Sequence, residues 1–408
     1  MFWQKHLEEF ATRLRRHDIP VRLQLWDGTE VALGTAPTVT LRVRNLPALR
    51  QLLNPSLASL GHAYVEGEID VEGRTTDIVD VAARLAAHGP EAGRGLRRGA
   101  RMIRHTRRID AEAIAYHYDV SNDFYALWLD SQMVYSCAYF RSPDDSLDDA
   151  QTQKLDHVLR KLGVRPGDRL LDIGCGWGAL IVRAAEKFGA QALGITVSRN
   201  QYEYARERIA AAGLADRCEV QLEDYRDAAG KYERIASVGM FEHVGLQGLR
   251  GYFTRINELL ADDGTVLNHG ITATDPDSAE TPWGGGEFIE RYVFPHGELP
   301  HISLALKEMC TAGLEPVDVE NLRRHYALTL DHWARRFEEA APRLREIAGE
   351  KRYRIWRVFL AGCADGFAQH RMSLYQILAV RAGAGALPLT RDYMYGPCQC
   401  SASQISAP

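Results

Sequence analysis

A glycine-rich turn and a few polar side chains stand where this sequence could do chemistry. The segment Leu170-Leu171-Asp172-Ile173-Gly174-Cys175-Gly176-Trp177-Gly178 runs from an apolar strand into three closely spaced glycines and then a helix. Glycine lets the backbone turn tightly and approach a ligand. The spacing is not the G-x-G-x-x-G/A of a dinucleotide site. Downstream, Phe241-Glu242-His243-Val244-Gly245 follows one strand signal and His269-Gly270-Ile271 ends the next. Cys137 lies ahead of them in Tyr135-Ser136-Cys137-Ala138-Tyr139. A carboxylate and an imidazole at strand carboxyl ends are the side chains that most often move protons.

The elements that must position these groups alternate. Strand signals fall at Arg169 to Ile173, Ala192 to Thr196, Glu219 to Leu222, Arg234 to Val238 and Thr265 to Ile271, with helices fitting between them. That order predicts an α/β fold with a parallel, doubly wound, Rossmann-like sheet. Such sheets bind ligands outside the carboxyl ends of their strands. The glycine loop looks like the S-adenosylmethionine loop of class I methyltransferases. The second strand of such a fold usually ends in an acid for the ribose. Here Gly194 to Gln201 contains none, which leaves Thr196 and Gln201 to bind hydroxyls by neutral hydrogen bonds. After the third strand, Asp224 can accept from the adenine amino group.

The 408 residues exceed one ordinary domain and fit a large and a small one. Residues 1–92 read as an α+β unit. It has a helix from Phe2 to Arg16, strands at Val21 to Trp26 and Glu30 to Leu33 around an Asp27-Gly28 turn, a third strand at Thr38 to Val43, and a helix from Pro47 to Leu53. Residues 93–110 carry Arg94, Arg97, Arg98, Arg101, Arg104, Arg107 and Arg108 with a single acid, Asp110, at the end. This segment is a solvated linker, a surface that approaches anionic lipid head groups, each cation then contributing about 1 kcal/mol, or a local nucleic-acid contact. Residues 111–390 form the catalytic domain, with Ala334 to Arg381 read as helical. Residues 391–408 read as a flexible tail. A net charge of −5 excludes a chain that binds nucleic acid as a whole. No run of about 18 apolar residues predicts a membrane span. Seven scattered cysteines suit a reduced cytoplasm, and Cys398-x-Cys400 lacks the partners of a zinc site, so no metal is expected.

The chain resembles the cyclopropane-fatty-acyl-phospholipid synthases and the related mycolic acid cyclopropane synthases. The resemblance rests on His117 to Tyr125, Tyr135 to Phe140, Leu171 to Gly178, Thr196 to Gln201, Gly239 to Gly245, Phe288 to Pro300 and His325 to Trp333. It covers about Ala111 to Arg381, and more weakly the N-terminal unit. It implies S-adenosylmethionine as cofactor, contacted by Tyr135, Ser136, Gly174, Gly176, Trp177, Thr196, Gln201 and Asp224. It implies bicarbonate as base, surrounded by Cys137, Glu242, His269, the Ile271 amide and Tyr326. Gly270 departs from the family pattern, which has threonine there. The implied substrate is an unsaturated phospholipid in a membrane, met peripherally at the cytoplasmic face. A homodimer is compatible with that use.

The chemistry agrees with this reading. An alkene attacks the sulfonium methyl, a carbocation forms, and a base must take a proton from the added methyl before a ring can close. A dry aromatic pocket protects the cation. Two anions, Glu242 and bicarbonate, can face each other only across a shared proton. The alternatives are a methyltransferase making methylene- or methyl-branched chains, a small-molecule methyltransferase, and a non-catalytic lipid-binding protein that retains the cofactor fold.

Overall fold

The computed structural model describes residues 2–88, 120–277, 285–293, 298–385 and 387–395. The arginine-rich segment 93–110, His117 to Asp119, and Cys398 and Cys400 lie outside them.

The first unit contains α1 (Phe2–Arg15), β1 (Val21–Leu25), β2 (Glu30–Ala32), β3 (Val39–Val43), α2 (Leu46–Leu53), α3 (Leu57–Val65), β4 (Ile69–Glu72) and α4 (Thr75–Ala87). Its strands alternate buried and exposed residues, as a sheet with one covered face requires. The order is β2-β1-β3-β4, with β1 and β3 parallel. At the β1–β2 turn Gly28 takes φ 87°, and the Asp27 carboxylate accepts from the Thr29 amide. Asn45 caps α2 by accepting from the Ala48 amide. Leu7, Phe10 and Leu14 of α1 close one core with Val21, Leu23 and Leu41.

The second unit continues with α5 (Asn122–Ala126), α6 (Leu147–Lys161), β5 (Arg169–Ile173), α7 (Ala179–Phe188), β6 (Gln191–Thr196), α8 (Arg199–Ala211), β7 (Cys218–Leu222) and β8 (Tyr232–Val238). A 3-10 turn at Phe241–His243 leads to α9 (Leu249–Leu259), β9 (Leu260–Ala273), α10 (Gly285–Tyr292), α11 (Ile302–Thr311) and β10 (Leu314–Asn321). The chain then forms α12 (Arg323–Glu339), α13 (Ala341–Ala368, broken at Gly349), β11 (Met372–Arg381) and α14 (Asp392–Tyr395). The sheet order is β10-β11-β9-β8-β5-β6-β7.

Two expectations need correction. The sheet is mixed rather than parallel, because β11 runs antiparallel to both β9 and β10. The stretch Ala334 to Arg381 is not helical throughout: α13 stops at Ala368, His370 takes φ 56°, and Met372–Arg381 is a strand. That strand is covered on both faces, so its apolar residues run together without the alternation that marks a half-exposed strand. In the stretch read as a tail, α14 packs Met394 into the core under α6 and α7.

The two units meet on α3, α10 and α13. Phe288 lies against Gly61, where a β-carbon would approach its ring to 2.8 Å. Arg354 donates to Asp70 at 2.7 Å and to the Tyr64 carbonyl at 2.9 Å, and Arg357 donates to the Tyr64 hydroxyl at 3.0 Å. Trp356, between those arginines in sequence, turns the other way into an aromatic core with Phe124, Tyr125, Trp128 and Tyr135.

Candidate active site

The turn after β5 gives Gly174, Gly176 and Gly178 φ values of 78°, 55° and 83°, which other residues rarely adopt. The amides of Gly174 and Cys175 both donate to the Ile195 carbonyl at 3.0 Å, tying the turn to β6. A cavity opens at these strand ends. Tyr135, Ser136, Gly174, Gly176, Trp177, Thr196, Gln201 and Asp224 all line it. The Thr196 hydroxyl donates to Gln201 Oε1 at 2.9 Å, which orients both side chains at the end of β6. The Asp224 carboxylate is gripped by the Arg226 guanidinium, at 2.8 Å to Nε and 2.6 Å to the terminal nitrogen, and by the Arg226 amide at 2.9 Å.

Sequence reasoning passed over the residues that hold this cavity's far wall. Gln151 and Lys154 lie one turn apart on the buried face of α6. The Gln151 amide donates to the Ser136 carbonyl at 2.8 Å, and Lys154 Nζ donates to Ser136 Oγ at 3.0 Å. Burial pulls the Lys154 ammonium down to about 8, against the nearby Asp130 and Asp172. Burial pushes the Asp172 carboxyl up to about 7, with Lys154 opposing the shift. Polar residues recurring at helical spacing among the apolar ones of α6, Gln151, Lys154 and Lys161, were the legible signal. Arg208 donates to the Gln132 and Trp177 carbonyls at 2.8 and 3.1 Å, and Trp177 Nε1 donates to Asn122 at 2.8 Å.

Beside the cavity lies a second group of polar atoms. Met240 and His243 line the cavity, and Glu242 sits between them on the 3-10 turn. Glu242 Oε1 accepts from the Ile271 amide at 2.6 Å. This is the amide that the family resemblance offers to bicarbonate as a donor. Glu242 Oε2 is buried with no hydrogen-bond partner among the described residues. Burial pushes this carboxyl up to about 7, and the Ile271 amide only partly offsets it. His269, two residues before Ile271, shares its face of β9. Its Nδ1 meets Gln376 Nε2 at 3.2 Å, while its Nε2 is a second buried atom without a partner among the described residues.

Cys137 and Tyr326 approach from the other side. Cys137 is fully buried; its thiol faces the Ala138 carbonyl at 3.2 Å and the Leu322 carbonyl at 3.8 Å. Burial raises its pKa, so the sulfur stays a neutral thiol. Tyr326 lies in the first turn of α12, four residues past Leu322, and its ring packs tilted at 49° against Phe367 with ring centres 4.6 Å apart. Leu322 is bound through its amide to Leu374, which faces Ile271 across the β9–β11 pair. These contacts gather Cys137, Tyr326, Ile271 and His269 around the junction of β9, β11 and α12.

The sequence profile of the mycolic acid cyclopropane synthetase family matches residues 105–377. The chain belongs to this family. It is accordingly an S-adenosylmethionine-dependent methyltransferase. Residues 10–88 match a separate domain of unknown function. The chain is 46% identical over 396 residues to a probable fatty acid methyltransferase of Pseudomonas putida, covering 95% of this chain and all of the relative. It is 32% identical to the cyclopropane-fatty-acyl-phospholipid synthase of Escherichia coli, covering 88% of this chain and 92% of the relative. Among solved structures it resembles the cyclopropane synthase MmaA2 of Mycobacterium tuberculosis, at TM-score 0.64 and 33% identity, over 66% of this chain and 98% of that one. It also resembles the mycolic acid cyclopropane synthase CmaA1 solved with S-adenosylhomocysteine, at TM-score 0.63 and 33% identity, over 66% and 97%. The cavity suits the family's cofactor: the glycine turn opens the backbone, and polar groups at the ends of β5, β6 and β7 follow the strand-end rule.

Proposed function

We propose that this enzyme adds a one-carbon unit to the cis double bond of an unsaturated phospholipid acyl chain and closes a cyclopropane ring, with bicarbonate as base. The observation that carries the reading is two buried atoms without partners among the described residues, Glu242 Oε2, on the turn whose Met240 and His243 line the cofactor cavity, and His269 Nε2, on the strand whose Ile271 amide binds Glu242. Buried polar atoms are rarely left without partners. A carboxylate oxygen and an imidazole nitrogen together suit a small anion that both donates and accepts hydrogen bonds.

S-adenosylmethionine supplies the electrophilic methyl. The alkene π pair forms the new C–C bond as the C–S bond breaks and its electrons leave on sulfur. The added methyl then loses a proton, and the C–H pair becomes the closing ring bond. Glu242 Oε2 and His269 Nε2 would hold the bicarbonate, which would supply the base for this proton. Glu242 takes the bicarbonate O–H and so raises the basicity of the remaining oxygens. The Ile271 amide holds Glu242 in place for this, rather than binding bicarbonate. Cys137 and Tyr326 shape the wall beside the base, and the aromatic core around Tyr125, Tyr135 and Trp356 keeps water from the cation. The phospholipid is met at the cytoplasmic membrane surface by a peripherally bound protein, as a monomer or homodimer.

A second reading is favoured by the Pseudomonas putida relative, whose name is that of a fatty acid methyltransferase. On that reading the cation is not closed to a ring: it loses a proton to leave a methylene branch or, with an added hydride donor, becomes a saturated methyl branch. Cofactor with a fully deuterated methyl, given to the protein with unsaturated phospholipid vesicles and bicarbonate, separates the two. One added carbon carrying two deuterons, in a chain that ozonolysis no longer cleaves, supports the ring. Three retained deuterons in a saturated branch overturn it, as does the absence of any lipid product.

A further inference from the structure

Strand register places Gln376 of β11 directly opposite His269 of β9. Both side chains are enclosed, with Gln376 at 0% and His269 at 1% exposure. The nitrogen of the Gln376 amide meets His269 Nδ1 at 3.2 Å. An amide nitrogen only donates, so Nδ1 is the accepting nitrogen and carries no proton. The ring is uncharged: burial first, then the ammonium groups of Lys154 and Lys161, hold its pKa well below the usual value. A neutral imidazole has one N–H, which therefore sits on Nε2. That atom has no partner among the described residues.

The orientation of the amide follows from the same accounting. Gln376 Oε1 also has no partner among the described residues. Turning the amide over would take the acceptor away from the one N–H that has it and leave both amide N–H groups without a partner, and orphan N–H groups are rarer than orphan carbonyls.

We propose that Gln376 is a positioning residue that keeps the His269 proton on Nε2 and so makes the ring a donor toward an anion held between His269 and Glu242. With the proton on Nδ1, Nε2 would present a lone pair to that anion and repel it. An imidazolium would bind it more tightly but lower its basicity. A neutral Nε2–H donor binds the base and leaves it able to take a proton. The identity of the anion as bicarbonate rests on the function proposed above; the tautomer does not.

The test is ring-nitrogen NMR on full-length protein labelled with 15N-histidine, with His269→Asn identifying the His269 signals. The expected result is a protonated Nε2 and an unprotonated Nδ1 in the unsubstituted protein. Gln376→Glu presents a carboxylate that can only accept from Nδ1–H, and should move the proton there. Gln376→Met keeps the shape without the amide donor. It should populate both tautomers and raise the KM for bicarbonate at least tenfold, with cofactor affinity unchanged. Nδ1–H in the unsubstituted protein, or an unchanged Nε2–H in Gln376→Met, overturns the proposal. If the deuterium count shows no ring while Nε2–H is found, the bicarbonate reading fails and the tautomer stands. A ring with Nδ1–H fails the tautomer alone.

Discussion

The ring of Phe241 lies directly on the backbone of Gly270, where a β-carbon would fall 2.0 Å from Cε1 and 2.3 Å from Cδ1. Phe241 begins the turn that carries Glu242, and Gly270 separates His269 from Ile271. The glycine that departs from the family pattern is thus the space into which this ring packs. It brings the turn close enough for Glu242 to reach the Ile271 amide. Gly270→Thr should force the ring aside and cost about 1–3 kcal/mol, as overpacking does. Activity should fall further than stability. Urea denaturation and product formation measure the two, and adding Phe241→Leu should recover part of both.

Glu242 predicts a pH dependence. Its pKa in the fold is about 7, against an ordinary 4.5. Because the ionised carboxylate accepts the bicarbonate proton, kcat/KM at fixed bicarbonate ion concentration should rise with pH up to about 7 and then level. Glu242→Gln should abolish turnover and the limb together; the same limb in an active variant would reassign it to another group, such as Asp172.

The same shift has a stability sign. A carboxyl raised in the fold contributes stability below its unfolded value, about pH 4.5, and that contribution is gone once pH passes about 7. The change is on the order of 3 kcal/mol. Glu242→Gln should therefore gain stability relative to the unsubstituted protein as pH is raised from 5 to 8. Chemical denaturation at the two pH values reads this directly.

Cys137 is predicted to be chemically silent. A buried neutral thiol facing two carbonyls neither attacks nor titrates near neutrality. Cys137→Ser keeps a donor for the Leu322 carbonyl and should retain activity within about tenfold, since one neutral hydrogen bond is worth about 1 kcal/mol. Iodoacetamide should not label Cys137 in the folded protein, as mass mapping of the modified cysteines would show.

Arg354 predicts how the two units depend on each other. It binds Asp70 and the Tyr64 carbonyl, and its guanidinium lies 4.9 Å from the Tyr64 ring centre. Arg354→Met removes these bonds while keeping much of the stem. It should cost about 1–3 kcal/mol and speed proteolytic release of residues 1–88. Because Trp356 packs the adjoining face of the same helix into the aromatic core, activity should fall with it.

Much of this protein is determined locally, and the sequence alone determined that part. The glycine turn, the strands β5 to β8 and the ordering of Glu242 and His269 at strand ends follow from short-range periodicity and from the backbone freedom that glycine allows. Six of the eight residues assigned to the cofactor line one cavity because they end or follow strands β5, β6 and β7 of one sheet, which is a property of the topology; Tyr135 and Ser136 reach it from the segment before α6. What only the tertiary structure decided is the pairing across it. The apolar run of β11 is covered on both faces and carries no alternation, so its reading as a strand, and with it the placement of Gln376 on His269, depends on contacts more than 100 residues apart. The commitment of the Ile271 amide to Glu242, the fit of Phe241 on Gly270 and the burial of Lys154 behind Ser136 are of the same kind. They are set by which side chains share a low-dielectric interior, and neither propensity nor spacing along the chain encodes that.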